Sequence, residues 1–104
     1  MSISYGWEKL HSAIHSLCGQ GEQAERLLNS VVFSLIQITP ENDLPEEMRQ
    51  EFQQFMDDMT SVEAQRDEGR VKATIDTLDE IEIGNKIEKV ISFYDSICRH
   101  CEPF

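Results

Sequence analysis

The chain has 104 residues, 39% of them hydrophobic and 28% charged, with 20 carboxylates against nine lysines and arginines for a net charge of −11. That length supports one hydrophobic core and not two, so residues 1–104 read as a single domain of ordinary globular composition. The charge argues against direct binding of nucleic acid or of an anionic membrane, both of which demand lysine and arginine, and makes a basic protein the natural complement.

Residues 4–18 predict a first helix, with Trp7, Leu10, Ile14, Leu17 and Cys18 on one face at steps of three and four. Tyr5 and Trp7 near its start read as the wedge that seals one end of a small bundle, an exposed aromatic anchor being the alternative. Gly19-Gln20-Gly21 breaks the pattern, and Gly19 is expected to close the helix in a left-handed conformation. A second helix follows over about 22–38. Its apolar residues, Ala24, Leu27, Leu28, Val31, Val32, Leu35, Ile36 and Ile38, make a stripe wide enough to face two neighbours. Thr39-Pro40 ends it, and residues 41–44 form a turn.

The third helix, 45–59, has Pro45 at its first position and Glu46 and Glu47 in the turn where the helix dipole favours negative charge. Met48, Phe52, Phe55, Met56 and Met59 form its apolar stripe, which reads as core, although a methionine-rich binding groove would share the pattern. Residues 60–69 are the one long polar stretch and the expected mobile loop. A short helix over 70–76, with Val71 and Ile75 inward, leads to the strongest element. There Ile83, Ile87, Val90, Ile91, Tyr94, Ile97 and Cys98 repeat at helical spacing across 79–99, and Thr77 with Glu80 three residues on reads as a capping box. The chain is thus expected to be all-α, a small antiparallel bundle of four main helices and one short one packed around the final helix.

Charge is concentrated mid-chain. Residues 41–82 hold fourteen carboxylates against Arg49, Arg66, Arg70 and Lys72, whereas the flanking segments are close to neutral. Solubility alone does not require such a block, and Asp57 and Asp58 stand in a last helical turn, where the dipole disfavours them. The leading functional expectation is therefore a non-enzymatic interaction module that docks on a basic protein partner through Glu46, Glu47, Glu51, Asp57, Asp58, Asp67 and Glu68. Its concrete form is an inhibitor or immunity-type protein that covers a nucleic-acid-binding surface, with carboxylates standing where phosphates otherwise bind. Reversing Glu47, Glu51 and Asp58 to lysine would then abolish docking and spare the helices.

A second expectation rests on the second helix, which carries more apolar surface than one bundle contact needs: an accessory subunit of a larger assembly, held by apolar contact. Homo-oligomerisation is compatible with either. A third joins Cys98-x-x-Cys101 to His11 and His15, one helical turn apart, as four zinc ligands. The simpler reading of these residues is a core thiol, a tail thiol and half-exposed imidazoles; on that reading no metal and no other cofactor is expected. With no calcium loop, phosphate loop or nucleophile elbow, no catalytic residue is nominated. Three cysteines, an odd number, and a start without a basic and apolar leader point to reduced thiols in the cytoplasm. No stretch is long and apolar enough to span a bilayer.

Overall fold

In the computed structural model, which describes residues 3–101, the chain forms six helices and, among those residues, no strand. Met1, Ser2 and residues 102–104, with the charge of Glu102, fall outside the described part. The helices are α1 (Ile3–Leu17), α2 (Gln23–Phe33), α3 (Pro40–Asp43), α4 (Glu46–Met59), α5 (Arg70–Ile75) and α6 (Glu80–Cys98), with a 3₁₀ turn at Leu35–Gln37. Helix α6 touches α1, α2 and α4, while α5 closes the bundle against α2 and α4. Helix α1 shares the central place with α6, since it packs on α2, α3 and the 3₁₀ turn as well as on α6.

The start of α6 is capped two residues later than the spacing suggests. Asp79 accepts the N–H of Glu82 at 2.8 Å, and Glu82 returns the bond to the N–H of Asp79 at 3.1 Å. A carboxylate at this position caps more strongly than a threonine and also meets the helix dipole. Thr77 instead finishes the preceding helix, its hydroxyl donating to the Thr74 carbonyl at 2.7 Å. Along α6 the buried line is Ile83, Val90, Phe93 and Ile97, whereas Ile91 of the predicted stripe is 44% exposed. Phe93 is the residue the stripe lacked. It meets Phe52 and Phe55 of α4 edge-on, with ring centroids 5.4 and 5.5 Å away. The stripe Met48, Phe52, Phe55 and Met59 is fully buried, with Met56 half-buried, so the methionines of α4 are core and not groove.

Helix α2 stops five residues earlier than its periodicity implies. Two β-branched residues precede Ser34, whose backbone leaves the helical region, and Pro40 forbids any return to the same helix. The side chain of Gln37 donates to the Phe33 carbonyl at 2.8 Å, which satisfies an acceptor that the break would otherwise strand. Leu35 and Ile38 still reach the core beyond the break. The segment read as a plain turn, 41–44, is the single helical turn α3 and its close, held by Asp43. That carboxylate is buried, and it accepts the Thr39 N–H at 2.8 Å and the Asn42 amide at 3.0 Å.

Two further local expectations change. The left-handed glycine after α1 is Gly21, at φ 101°, and not Gly19. Cys18 lies past the end of α1 and is exposed, off the apolar face it was assigned to. Trp7 does act as a wedge: it is half-buried, packed against the core cluster, and stacked on His11. The first part of the polar loop after α4 is tied to α5, by the Val62 N–H to the Thr74 hydroxyl at 3.1 Å and by the Glu63–Arg70 ion pair at 3.5 Å.

A close approach of α1 to α3 depends on Gly6. A Cβ there would lie 2.2 Å from the Asp43 carbonyl oxygen, a backbone atom with nowhere to go. Gly84, by contrast, sits inside α6 with nothing within 4 Å of a Cβ. Gly6→Ala is expected to destabilise by about 1–3 kcal/mol, and Gly84→Ala to stabilise by about 0.5–1 kcal/mol. Thermal unfolding of the two variants should move Tm in opposite directions.

Candidate functional site

The carboxylates nominated from sequence lie along α4 and the loop behind it, and the structure divides them by what they touch. Three face α6. Glu47 meets His100 at 2.6 Å, Glu51 meets Lys89 at 2.8 Å, and Asp58 meets Lys86 at 3.8 Å. As the α4 number rises the partner's number falls from 100 to the eighties, the order of antiparallel neighbours. Glu68 turns back on its own loop and accepts the N–H groups of Gln65 and Arg66 at 3.2 and 2.8 Å. Backbone hydrogen bonds, that from its own N–H first, hold its carboxyl below the usual value.

Asp57 and Asp58 sit at the unfavourable end of α4, yet each is held from one turn back, by Gln53 and Gln54 at 3.0 Å. These amide donors offset the dipole locally. Glu46, Asp57 and Asp67 are exposed and have no cationic partner among the described residues. Between α4 and α6 the paired charges line an open groove of about 470 Å³, with Glu51, Asp58 and Glu82 facing Lys86 and Lys89 over the Phe55 ring. The lysine ammonium groups lie over aromatic faces, Lys86 Nζ 5.9 Å from the centre of Phe55 and Lys89 Nζ 5.7 Å from that of Phe93. Charges of both signs balance here to within one unit, so the groove is not where the excess negative charge resides.

The residues proposed for zinc are only partly brought together. His11 and His15 place their Nε2 atoms 3.1 Å apart on α1, and His11 Nδ1 lies 3.3 Å from the Tyr94 hydroxyl. Burial pushes the Tyr94 phenol up, and a hydrogen bond to Cys98 adds to the shift. Cys18, Cys98 and Cys101 are free thiols. Among the described residues no three His, Cys, Asp or Glu side chains gather as a metal cage. The four-ligand site is not assembled.

One surface feature lies outside the nominated residues. Val32, Phe33 and Ile36 are 38%, 66% and 56% exposed where α2 breaks. The apolar excess of this segment was legible in the sequence, but which side chains would face outward depended on where the helix stops. Lys86, Lys89 and His100 were also missed. Lys86 and Lys89 three residues apart on α6, with His100 just past its end, were the available signal opposite acidic α4.

Comparison with known protein families, with characterised proteins and with solved structures finds no match to this chain. No helix of the described residues is long and apolar enough to cross a membrane.

The α4–α6 pairs make two outcomes measurable. Reversing Glu47, Glu51 and Asp58 to lysine sets like charges against His100, Lys89 and Lys86. The triple variant should therefore unfold at lower temperature, in contrast to the harmless reversal expected from sequence. The Ser96 carbonyl first, and Glu47 second, raise the His100 pKa above its ordinary 6.5, while the His100 hydrogen bond lowers that of Glu47 below 4.5. The His100 share of stability is complete below 6.5 and is lost as pH rises through the raised value. The Glu47 share is complete above 4.5 and is lost as pH falls through the lowered one. An NMR titration should find the His100 midpoint above 6.5 in the native protein and closer to it in Glu47→Gln.

Proposed function

We propose that this protein is a non-enzymatic interaction module that seats the broken end of α2 on a basic protein partner. Phe33 is the observation that carries the reading, a phenyl ring two-thirds exposed between Val32 and Ile36. An aromatic residue flanked by aliphatic ones is the composition of interface centres, and an isolated soluble domain has no use for such a cluster in water. The apolar cluster supplies affinity. Net charge selects the partner: at −11, two copies repel each other, whereas a positively charged protein is drawn in and oriented.

Carboxylates without cationic partners favour a second reading, an inhibitor that blocks the nucleic-acid-binding face of a basic protein. Glu46, Asp57 and Asp67 would stand in for phosphates, and the charges paired with α6 would play no part in recognition. The two readings differ in which surface dominates, and salt discriminates between them, since screening weakens charge contacts at a Debye length of about 8 Å in physiological buffer.

The test is capture of partners from nuclease-treated lysate of the host, with three baits: the native chain, Phe33→Ser/Ile36→Ser, and Glu46→Lys/Asp57→Lys/Asp67→Lys. Both substitution sets are on exposed positions and should leave the helical signal unchanged. A basic protein retained by the native bait through a high-salt wash, and lost from the apolar variant, is the expected result. Retention by the apolar variant with loss from the charge variant would favour the inhibitor reading. Equal retention by all three, or an empty capture, would refute both.

A further inference from the structure

We propose that His11 and His15 form a two-imidazole chelating site on the outer face of α1 for a borderline divalent transition-metal ion of the Zn²⁺, Ni²⁺ or Cu²⁺ class. The geometry starts from the sequence: residues four apart on a helix stand one above the other on the same face. Here the two Nε2 atoms are 3.1 Å apart. With metal–nitrogen bonds of about 2.05 Å that separation corresponds to an N–metal–N angle of about 100°, between the octahedral and tetrahedral values of about 90° and 109°. The ring centroids are 4.6 Å apart, only 1.5 Å more than the 3.1 Å between the nitrogens, and their planes are inclined by 64°. A head-on approach would add a full ring radius at each end, more than is observed. The nitrogens are thus canted; at 3.1 Å one Nε2–H donates to the other Nε2, and an ion bound by both takes the place of that proton.

The surroundings hold this arrangement. Trp7 stacks on His11, with centroids 4.7 Å apart and planes 15° from parallel. Tyr94 of α6 lies 3.3 Å from His11 Nδ1 and is itself hydrogen-bonded to Cys98. In the tautomer whose Nδ1–H donates to the phenol oxygen, His11 Nε2 keeps its lone pair for a metal. An outer partner on the far nitrogen is how metal-binding imidazoles are oriented. His15, on the exposed side, is free to turn its ring onto an incoming ion. No third His, Cys, Asp or Glu among the described residues closes the coordination sphere. The site therefore differs from a structural zinc cage: at least two positions stay open to water or to a donor from another molecule.

Trp7 is the only tryptophan in the chain, so the site carries its own reporter. Tag-free protein in chelator-free buffer is titrated with NiCl₂, followed by Trp7 fluorescence and by calorimetry. The expected result is saturable quenching at one ion per chain. His15→Ala should weaken binding at least about ten-fold, with the circular dichroism unchanged. A variant with Cys18, Cys98 and Cys101 replaced by serine should bind as the native chain does, because no thiol is a ligand. Quenching that fails to saturate, His15→Ala that binds as tightly as the native chain, or loss of binding in the serine variant would each overturn the assignment.

Discussion

The contact of Phe93 with Phe52 and Phe55 is the constraint from which the arrangement of α4 on α6 follows. Two edge-to-face pairs add about 0.5–1.5 kcal/mol each beyond the area they bury. Ion pairs at exposed positions contribute about 0–1 kcal/mol each. The rings therefore hold the helices together, and the charges above them take the register that results. Lys86 and Lys89 lie over the same rings and reach carboxylates from there. Which acidic residues of α4 are spoken for, and which face solvent alone, is decided one layer down, in the apolar core.

Much of the architecture could be read from periodicity. The long helices α1, α4 and α6 have spacing that admits no other element, and α6 finds partners for its stripe in α1, α2 and α4. What could not be read were facts set by neighbours. Periodicity puts Ile91 and Phe93 at opposite edges of the α6 stripe, about 200° apart around the axis; only the position of α4 determines that the ring's edge is buried and the isoleucine's half-exposed. The Thr77 signal was genuine capping chemistry attached to the wrong helix, since its hydroxyl ends α5 while Asp79 two residues later starts α6. Gly6 gave no sign of its importance, because a glycine in a helical pattern looks the same whether or not a carbonyl from another helix presses on it.

The candidate sites were legible in proportion to how local they are. His11 and His15 meet because a helix puts them there, and the sequence suffices. Cys98 and Cys101 were joined to them by residue type alone, and tertiary geometry does not complete that set. The carboxylates of α4 were identified as a group from charge density, yet a density cannot tell a carboxylate facing Lys89 from one facing water. Acidic surface and unshared acidic surface are different quantities, and only the second is available to a partner.

The break at Ser34 gives the molecule a property that its composition does not contain. If α2 ran unbroken, Phe33 and Ile36 would take their directions from one continuous axis; the kink and the 3₁₀ turn reset that axis, bury Leu35 and Ile38, and leave the other two outside. The exposed cluster is thus a product of chain direction. Its shape is written in residues that never reach it: the serine that departs from helical geometry, the glutamine that satisfies the stranded carbonyl, and the proline that prevents recovery. Changes at those positions would redraw the outer surface while every residue of that surface stayed the same, so the face this protein shows to its surroundings can be altered from within its own backbone.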